Sequence, residues 1–132
     1  MKCMLDTKMC IYIIKKKPPD VLKRFQKAQI SSIGISSITL SELFYGVVKS
    51  SKPERNYLAL AQFAVPLEIL SYDHKASQHY GDIRYHLEKQ GTPIGAMDML
   101  IAAHALSVGC ILVTNNEKEF HRVPHLRIEN WI

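Results

Sequence analysis

Three features of the sequence predict a three-layer α/β/α protein, with helices on both faces of a mostly parallel sheet of about five strands. Short apolar runs alternate with longer stretches of helical periodicity, the order expected of βαβ units rather than of a bundle or a sandwich. One run, Cys110-Ile111-Leu112-Val113, is apolar without alternation, as in a strand buried on both faces. The length of 132 residues suits one core, so the expectation is a single domain over 1-132.

The elements follow in order. Lys2 to Leu5 reads as a first, central strand with Asp6 at its carboxyl end. A helix over Met9 to Lys16 is stopped by Pro18-Pro19, and Asp20 is placed to cap the next one, Val21 to Lys27. Gly34 to Ile38 reads as the second strand. Thr39-Leu40-Ser41-Glu42 then matches a capping box and predicts a helix opening at Thr39, with Leu40, Leu43, Phe44, Val47 and Val48 on its inner stripe and Glu42 off it in the first turn. After a break at Ser50 to Pro53, Glu54 to Ala64 returns to helix, with Tyr57, Leu58 and Ala61 turned inward. Leu67 to Leu70 is a short strand. Asp73 caps a long helix to Gln90 with Ala76, Tyr80, Ile83 and Leu87 inward, and Gly91 is suited to its C-terminal turn. A loop, Thr92 to Gly95, delivers the chain to an apolar helix that carries Asp98 in its first turn and runs to about Ser107. Thr114-Asn115-Asn116 leaves the end of the strand at 110–113, Glu117 to Phe120 follows, and Leu126-Arg127-Ile128 is a last, edge strand.

Composition narrows the class. Apolar residues make up 47% and charged residues 22%, a globular balance. No run approaches the roughly 18 apolar residues of a membrane span, and the stretch before Asp6 is too short for a signal peptide. A cytoplasmic protein without a membrane partner is expected. The three cysteines have no C-x-x-C spacing, and Cys3 and Cys110 read as small core residues. The six histidines lack metalloprotease spacing, which argues against zinc. The net charge of +5, with Lys15-Lys16-Lys17 followed by Lys23, Arg24 and Lys27, favours a polyanionic partner.

In a parallel α/β fold the ligand sits beyond the carboxyl ends of the strands. Asp6 and Asn116 leave strand ends there, Glu42 and Asp98 lie in helix turns opening on the same rim, and Glu119 follows closely enough to fold back. An acid in the first turn of a helix is commonly its cap, which is the plainer reading of Asp98. Several acids at one rim repel each other unless a cation compensates. An all-oxygen donor set suits Mg²⁺ or Mn²⁺, which activate water and hold phosphate oxygens for in-line displacement.

Met4-Leu5-Asp6-Thr7, Ser37-Ile38-Thr39-Leu40-Ser41-Glu42-Leu43, Ile94 to Ala102 around Asp98, and Val113-Thr114-Asn115-Asn116-Glu117-Lys118-Glu119-Phe120 together resemble a PIN domain. More narrowly they resemble the VapC-type toxins of bacterial type II toxin–antitoxin pairs, and the likeness runs through essentially the whole chain. The resemblance implies a Mg²⁺- or Mn²⁺-dependent endoribonuclease that arrests translation, with tRNA a candidate substrate, restrained by a VapB-type antitoxin. It also implies a toxin homodimer within that complex, reaching operator DNA only through the antitoxin. Asp6, Glu42 and Asp98 match the family's three core acids. Glu119 is assigned as the fourth, and Thr7, Lys8, Thr114 and Asn116 as residues that order the site. The family usually reads Asp-Thr-Asn where this chain has Asp6-Thr7-Lys8. A cation there competes with the metal, and inward pairing of Lys8 with an acid is expected, with reduced activity. The second reading is therefore a catalytically weakened PIN module that mainly binds an antitoxin or RNA.

Other α/β classes fit less well. A receiver domain needs adjacent acids after its first strand, and a haloacid-dehalogenase-type phosphatase needs Asp-x-Asp, which Lys8 breaks. His104 lies on the apolar stripe of its helix and reads as a packed core histidine, as Tyr45 and Tyr80 read as packing residues. Trp131 is placed either over the core or in an interface.

Overall fold

The structure is a computed structural model, and it describes residues 2–132. Five strands, β1 (Cys3–Leu5), β2 (Ile33–Ser36), β3 (Glu68–Leu70), β4 (Ile111–Val113) and β5 (Ile128–Glu129), form one sheet in the order β3-β2-β1-β4-β5. Every pairing is parallel, so the sheet is wholly rather than mostly so. The helices are α1 (Thr7–Lys15), α2 (Pro19–Lys27), α3 (Ser37–Val48), α4 (Pro53–Ala64), α5 (His74–Gln90), α6 (Ala96–Val108) and the single turn α7 (Glu117–Phe120).

The strand alternation builds the three layers. Met4 and Leu112 point to one face, where they pack with Ile83, Leu87, Ile101 and Phe120 from α5, α6 and α7. Leu5 and Val113 point to the other, where they meet Met9, Ile13, Leu43, Leu60 and Phe63 from α1, α3 and α4. Trp131 closes this second core at 5% exposure, beneath the Arg24 guanidinium. Because all strands run one way, their carboxyl ends meet at one rim.

Several boundaries differ from expectation. Helix α1 opens two residues earlier, at Thr7, because Asp6 is itself the N-cap and accepts the Met9 N–H at 2.8 Å. Helix α2 is entered through Pro18 and Pro19, whose fixed φ starts the helix ahead of Asp20; Asp20 sits in the first turn and caps nothing. Helix α3 starts at Ser37. The Ser36 hydroxyl, directly off β2, accepts the Ile38 N–H at 3.1 Å, so the capping box at Thr39 does not form. Thr39 is buried and Glu42 stands in the second turn. The α3 stripe buries Leu43 but leaves Val48 74% exposed, and Phe44, half-exposed, stacks on Tyr57 instead. In α4 the inward residues are Leu60 and Phe63, with Tyr57 and Leu58 outside. Apolar residues occupy both faces of that helix, and packing against α1 and α3 selected the phase. Tyr80 packs on the core as expected, whereas Tyr45 is exposed. The edge strand β5 lies slightly beyond its predicted position. Among the described residues no helix is long and apolar enough to cross a membrane.

Candidate functional site

The rim carries the predicted acids, each brought by its own element. Asp6 comes off β1 and is almost fully buried. Burial pushes its carboxyl up from the ordinary range and Glu42 adds to this, while the Thr114 hydroxyl, the Met9 N–H and the Lys8 charge draw it down. Glu42 projects from α3 and accepts a 2.6 Å hydrogen bond from the Thr7 hydroxyl, which also lies 3.3 Å from the Thr39 hydroxyl. Glu42 is therefore a partner of the strand-end motif and not of its own helix cap.

Asp98 occupies the first turn of α6, where Gly95 is the N-cap and no side chain caps the helix. The capping reading of Asp98 fails. Its carboxyl is pushed up to about 6 by burial and then by the charges of Asp6, Glu119 and Glu42, with Lys8 opposing. Glu119, on α7, accepts the Asn116 side-chain N–H at 2.9 Å, and the Asn116 backbone N–H goes to the Thr114 hydroxyl at 2.9 Å. Thr114 and Asn116 thus order the turn that presents the fourth acid.

These groups line one open pit. A cavity of about 600 Å³ is bordered by Asp6, Thr7, Lys8, Glu42, Asp98 and Asn116. It adjoins a smaller one bordered by Asp6, Lys8, Asn116 and Glu119. The predicted site residues are thereby brought together. The carboxylates nevertheless do not meet at a single point: among the described residues, no three acid, histidine or cysteine side chains are grouped as an ion's ligands would be. The expectation that they stand close enough to share a metal is corrected to this extent. Three of the four carboxylates are turned toward their own donors, Asp6 to Met9, Glu42 to Thr7 and Glu119 to Asn116, and their like charges repel. The donor set fits a hard divalent cation in kind, being all oxygen, and the Asp98 carboxyl is raised by burial first and by the neighbouring acids second.

Lys8 is exposed at the edge of the pit, and its charge lowers both Asp6 and Asp98. Among the described residues it forms no ion pair, so the inward pairing is not seen. A lysine ammonium keeps its hydration where it can, and this rim is open. Tyr45, Gly46 and Lys49 also line the pit, with the Lys49 ammonium 4.8 Å from the Tyr45 ring. Sequence reasoning missed them, although Glu42, Tyr45, Gly46 and Lys49 follow at i, i+3, i+4 and i+7, one face of α3. Tyr12 and Asn115, beside Glu119, were missed as well.

An α/β fold of this topology with an acidic pit at the strand ends defines a class, and the comparisons agree with it. The PIN domain profile matches residues 3–126, and the chain belongs to the PIN domain family. Within the family its similarity extends end to end to VapC proteins. It is 50% identical to the tRNA(fMet)-specific endonuclease VapC of Salmonella typhimurium over 99% of this chain and 98% of that one. The solved DNA-bound VapBC of the same species superposes with a TM-score of 0.95, at 49% identity and with 100% and 99% of the two chains covered. VapBC2 of Rickettsia felis bound to a promoter DNA fragment gives 0.91 at 43% identity, with both chains fully covered.

Proposed function

We propose that this chain is an endoribonuclease toxin that cuts RNA phosphodiesters with Mg²⁺ or Mn²⁺ held by Asp6, Glu42, Asp98 and Glu119. The observation that carries the reading is the acidic pit itself, in which Asp98 is pushed up to about 6 by burial and by the three other acids. A pit so charged repels a phosphodiester unless a cation enters with it. Bound by these carboxylates, such an ion would supply the offsetting charge and the Lewis acidity that makes water a nucleophile toward phosphorus. The chain's own residues do the rest: Thr7 fixes Glu42, the Met9 N–H fixes Asp6, and Asn116 fixes Glu119. Lys8 and Lys49 at the rim attract the RNA backbone. The 50% identity to a tRNA(fMet)-specific endonuclease makes tRNA, and initiator tRNA first, the proposed substrate, cut in the cytoplasm to halt translation. Sequencing RNA ends after brief induction in cells tests this. New ends concentrated in one tRNA support the reading, and ends indistinguishable from those of an Asp98→Asn control contradict it.

The partner is a VapB-type antitoxin, with the toxin paired as a homodimer in the complex and operator DNA held through the antitoxin. A largely apolar groove between α1, α3 and α4, bordered by Ile11, Ile14, Leu43, Val47, Ala59 and Leu60, runs into the pit at Glu42 and Gly46. A Cβ at Gly46 would meet nothing, so the junction is open. An apolar antitoxin segment fits the groove, and a cationic side chain following it neutralises the acids. The weakened-module reading rests on Lys8. If its charge competes with the metal, Lys8→Asn lowers the Mn²⁺ concentration for half-maximal cleavage; equal midpoints and rates in the two proteins remove that reading.

A further inference from the structure

His104 lies in α6, six residues beyond Asp98, roughly 9 Å along the helix axis. It is 1% exposed, and Ile101, Ala102, Ala103 and Ala105 around it are fully buried. An imidazole placed there is costly unless it is bonded. Its Nδ1 is 2.7 Å from the Ser36 hydroxyl. That hydroxyl also accepts the Ile38 N–H as the cap of α3, so one side chain serves both the cap and the imidazole. Burial lowers the pKa of the imidazole, against the opposing charge of Asp73, and so favours its neutral form. The Tyr72 ring packs on it edge to face at 5.6 Å, and the Tyr72 N–H binds the Ser37 hydroxyl at 3.0 Å. The start of α3, the segment after β3 and the Asp98 helix therefore meet at one buried imidazole.

We propose that His104 is a positioning residue: its bond to Ser36 fixes the register of α6 against α3 and so holds Asp98 and Glu42 opposite each other across the pit. The inference rests on the ribonuclease reading. The other packing between these elements is largely apolar, which sets their distance without fixing a slide along the axis. A 2.7 Å hydrogen bond has direction, and displacements of about 1 Å at a reacting centre cost up to about a hundredfold in rate. A core that needed only filling would accept leucine at this position.

The test measures kcat and KM for RNA cleavage, calorimetric Mn²⁺ binding without RNA, and thermal unfolding. The proteins compared are the wild type, His104→Leu, His104→Asn, Ser36→Ala and the Ser36→Ala/His104→Leu double variant. His104→Leu lowers kcat tenfold to a hundredfold with KM within twofold, and weakens Mn²⁺ binding. His104→Asn, whose side-chain amide offers both a donor and an acceptor to Ser36, restores most of the loss. The double variant is no worse than the poorer single, since both cut the same bond. If His104→Leu does not fold, Ser36→Ala and His104→Asn carry the same comparison. Unchanged kcat in His104→Leu or Ser36→Ala beside an active wild type overturns the inference alone. A wild type that neither cuts RNA nor binds Mn²⁺ overturns the ribonuclease reading and the inference together.

Discussion

The Asp98 carboxyl shows most directly how residue-scale electrostatics and function conflict in this pit. Its native pKa, about 6, lies above its usual 3.8. Between those values the folded chain binds more protons than the unfolded one, so stability falls as pH rises through this window, and the penalty is full above it. Asp98→Asn removes the penalty. With chelator at pH 7.5 the variant should melt about 2–4 °C above the wild type, a gain kept small by solvent screening, and the difference should vanish at pH 4. At sub-saturating Mn²⁺ cleavage should weaken as pH falls toward 6, because protons compete with the cation for Asp98, and added metal should move that loss to lower pH. Thr7 provides a second residue-scale test. Thr7→Val removes the 2.6 Å donor to Glu42, a bond to a charged group worth about 1.5–3 kcal/mol. A drop in kcat of about tenfold or more, beside a melting temperature lowered by several degrees, is the expected result of kinetic and thermal unfolding assays.

At the scale of elements, the caps decide what is displayed at the rim. Asp6 and Ser36 end strands and begin helices in one step, which swings α1 and α3 away from the sheet at the pit. Helix α5 was legible in full, because Asp73 and Gly91 mark both ends chemically. Gly91 has φ +69°, so Gly91→Ala should destabilise the protein by about 1 kcal/mol in denaturant unfolding without altering kcat. The start of α3 was misread because two hydroxyl residues compete as caps, and only the position of β2 selects Ser36 over Thr39. The phase of α4 was misread because Tyr57 and Leu58 are as apolar as Leu60 and Phe63; tertiary packing settles what periodicity leaves open. The acids were legible from strand ends and helix starts. The Tyr45–Lys49 face was not, since the apolar stripe of α3 drew attention to the opposite side. The His104–Ser36 bond joins residues 68 positions apart, and no local pattern announces it.

At the scale of the molecule, the groove and the pit form one continuous surface, with apolar walls leading to an acidic end. That arrangement suits a regulator that blocks the site it docks beside. An acid placed in the groove wall should separate the two functions. Ala59→Glu buries an unpaired charge against an apolar partner and should lose the antitoxin on co-purification, while the isolated protein still cuts RNA. Loss of both together would mean that the groove shapes the pit rather than receiving a partner.

The central claim is that the four acids work by holding a divalent cation, and a metal titration of RNA cleavage tests it most directly. The purified chain, freed of antitoxin and stripped with chelator, is assayed on one tRNA substrate with increasing Mn²⁺ or Mg²⁺, beside Asp98→Asn. The account predicts no cleavage in chelator, saturable recovery with metal, and a loss of at least a hundredfold in Asp98→Asn, in keeping with removal of a group that holds the activating ion. Cleavage that persists in chelator, or that is undiminished in Asp98→Asn, contradicts it.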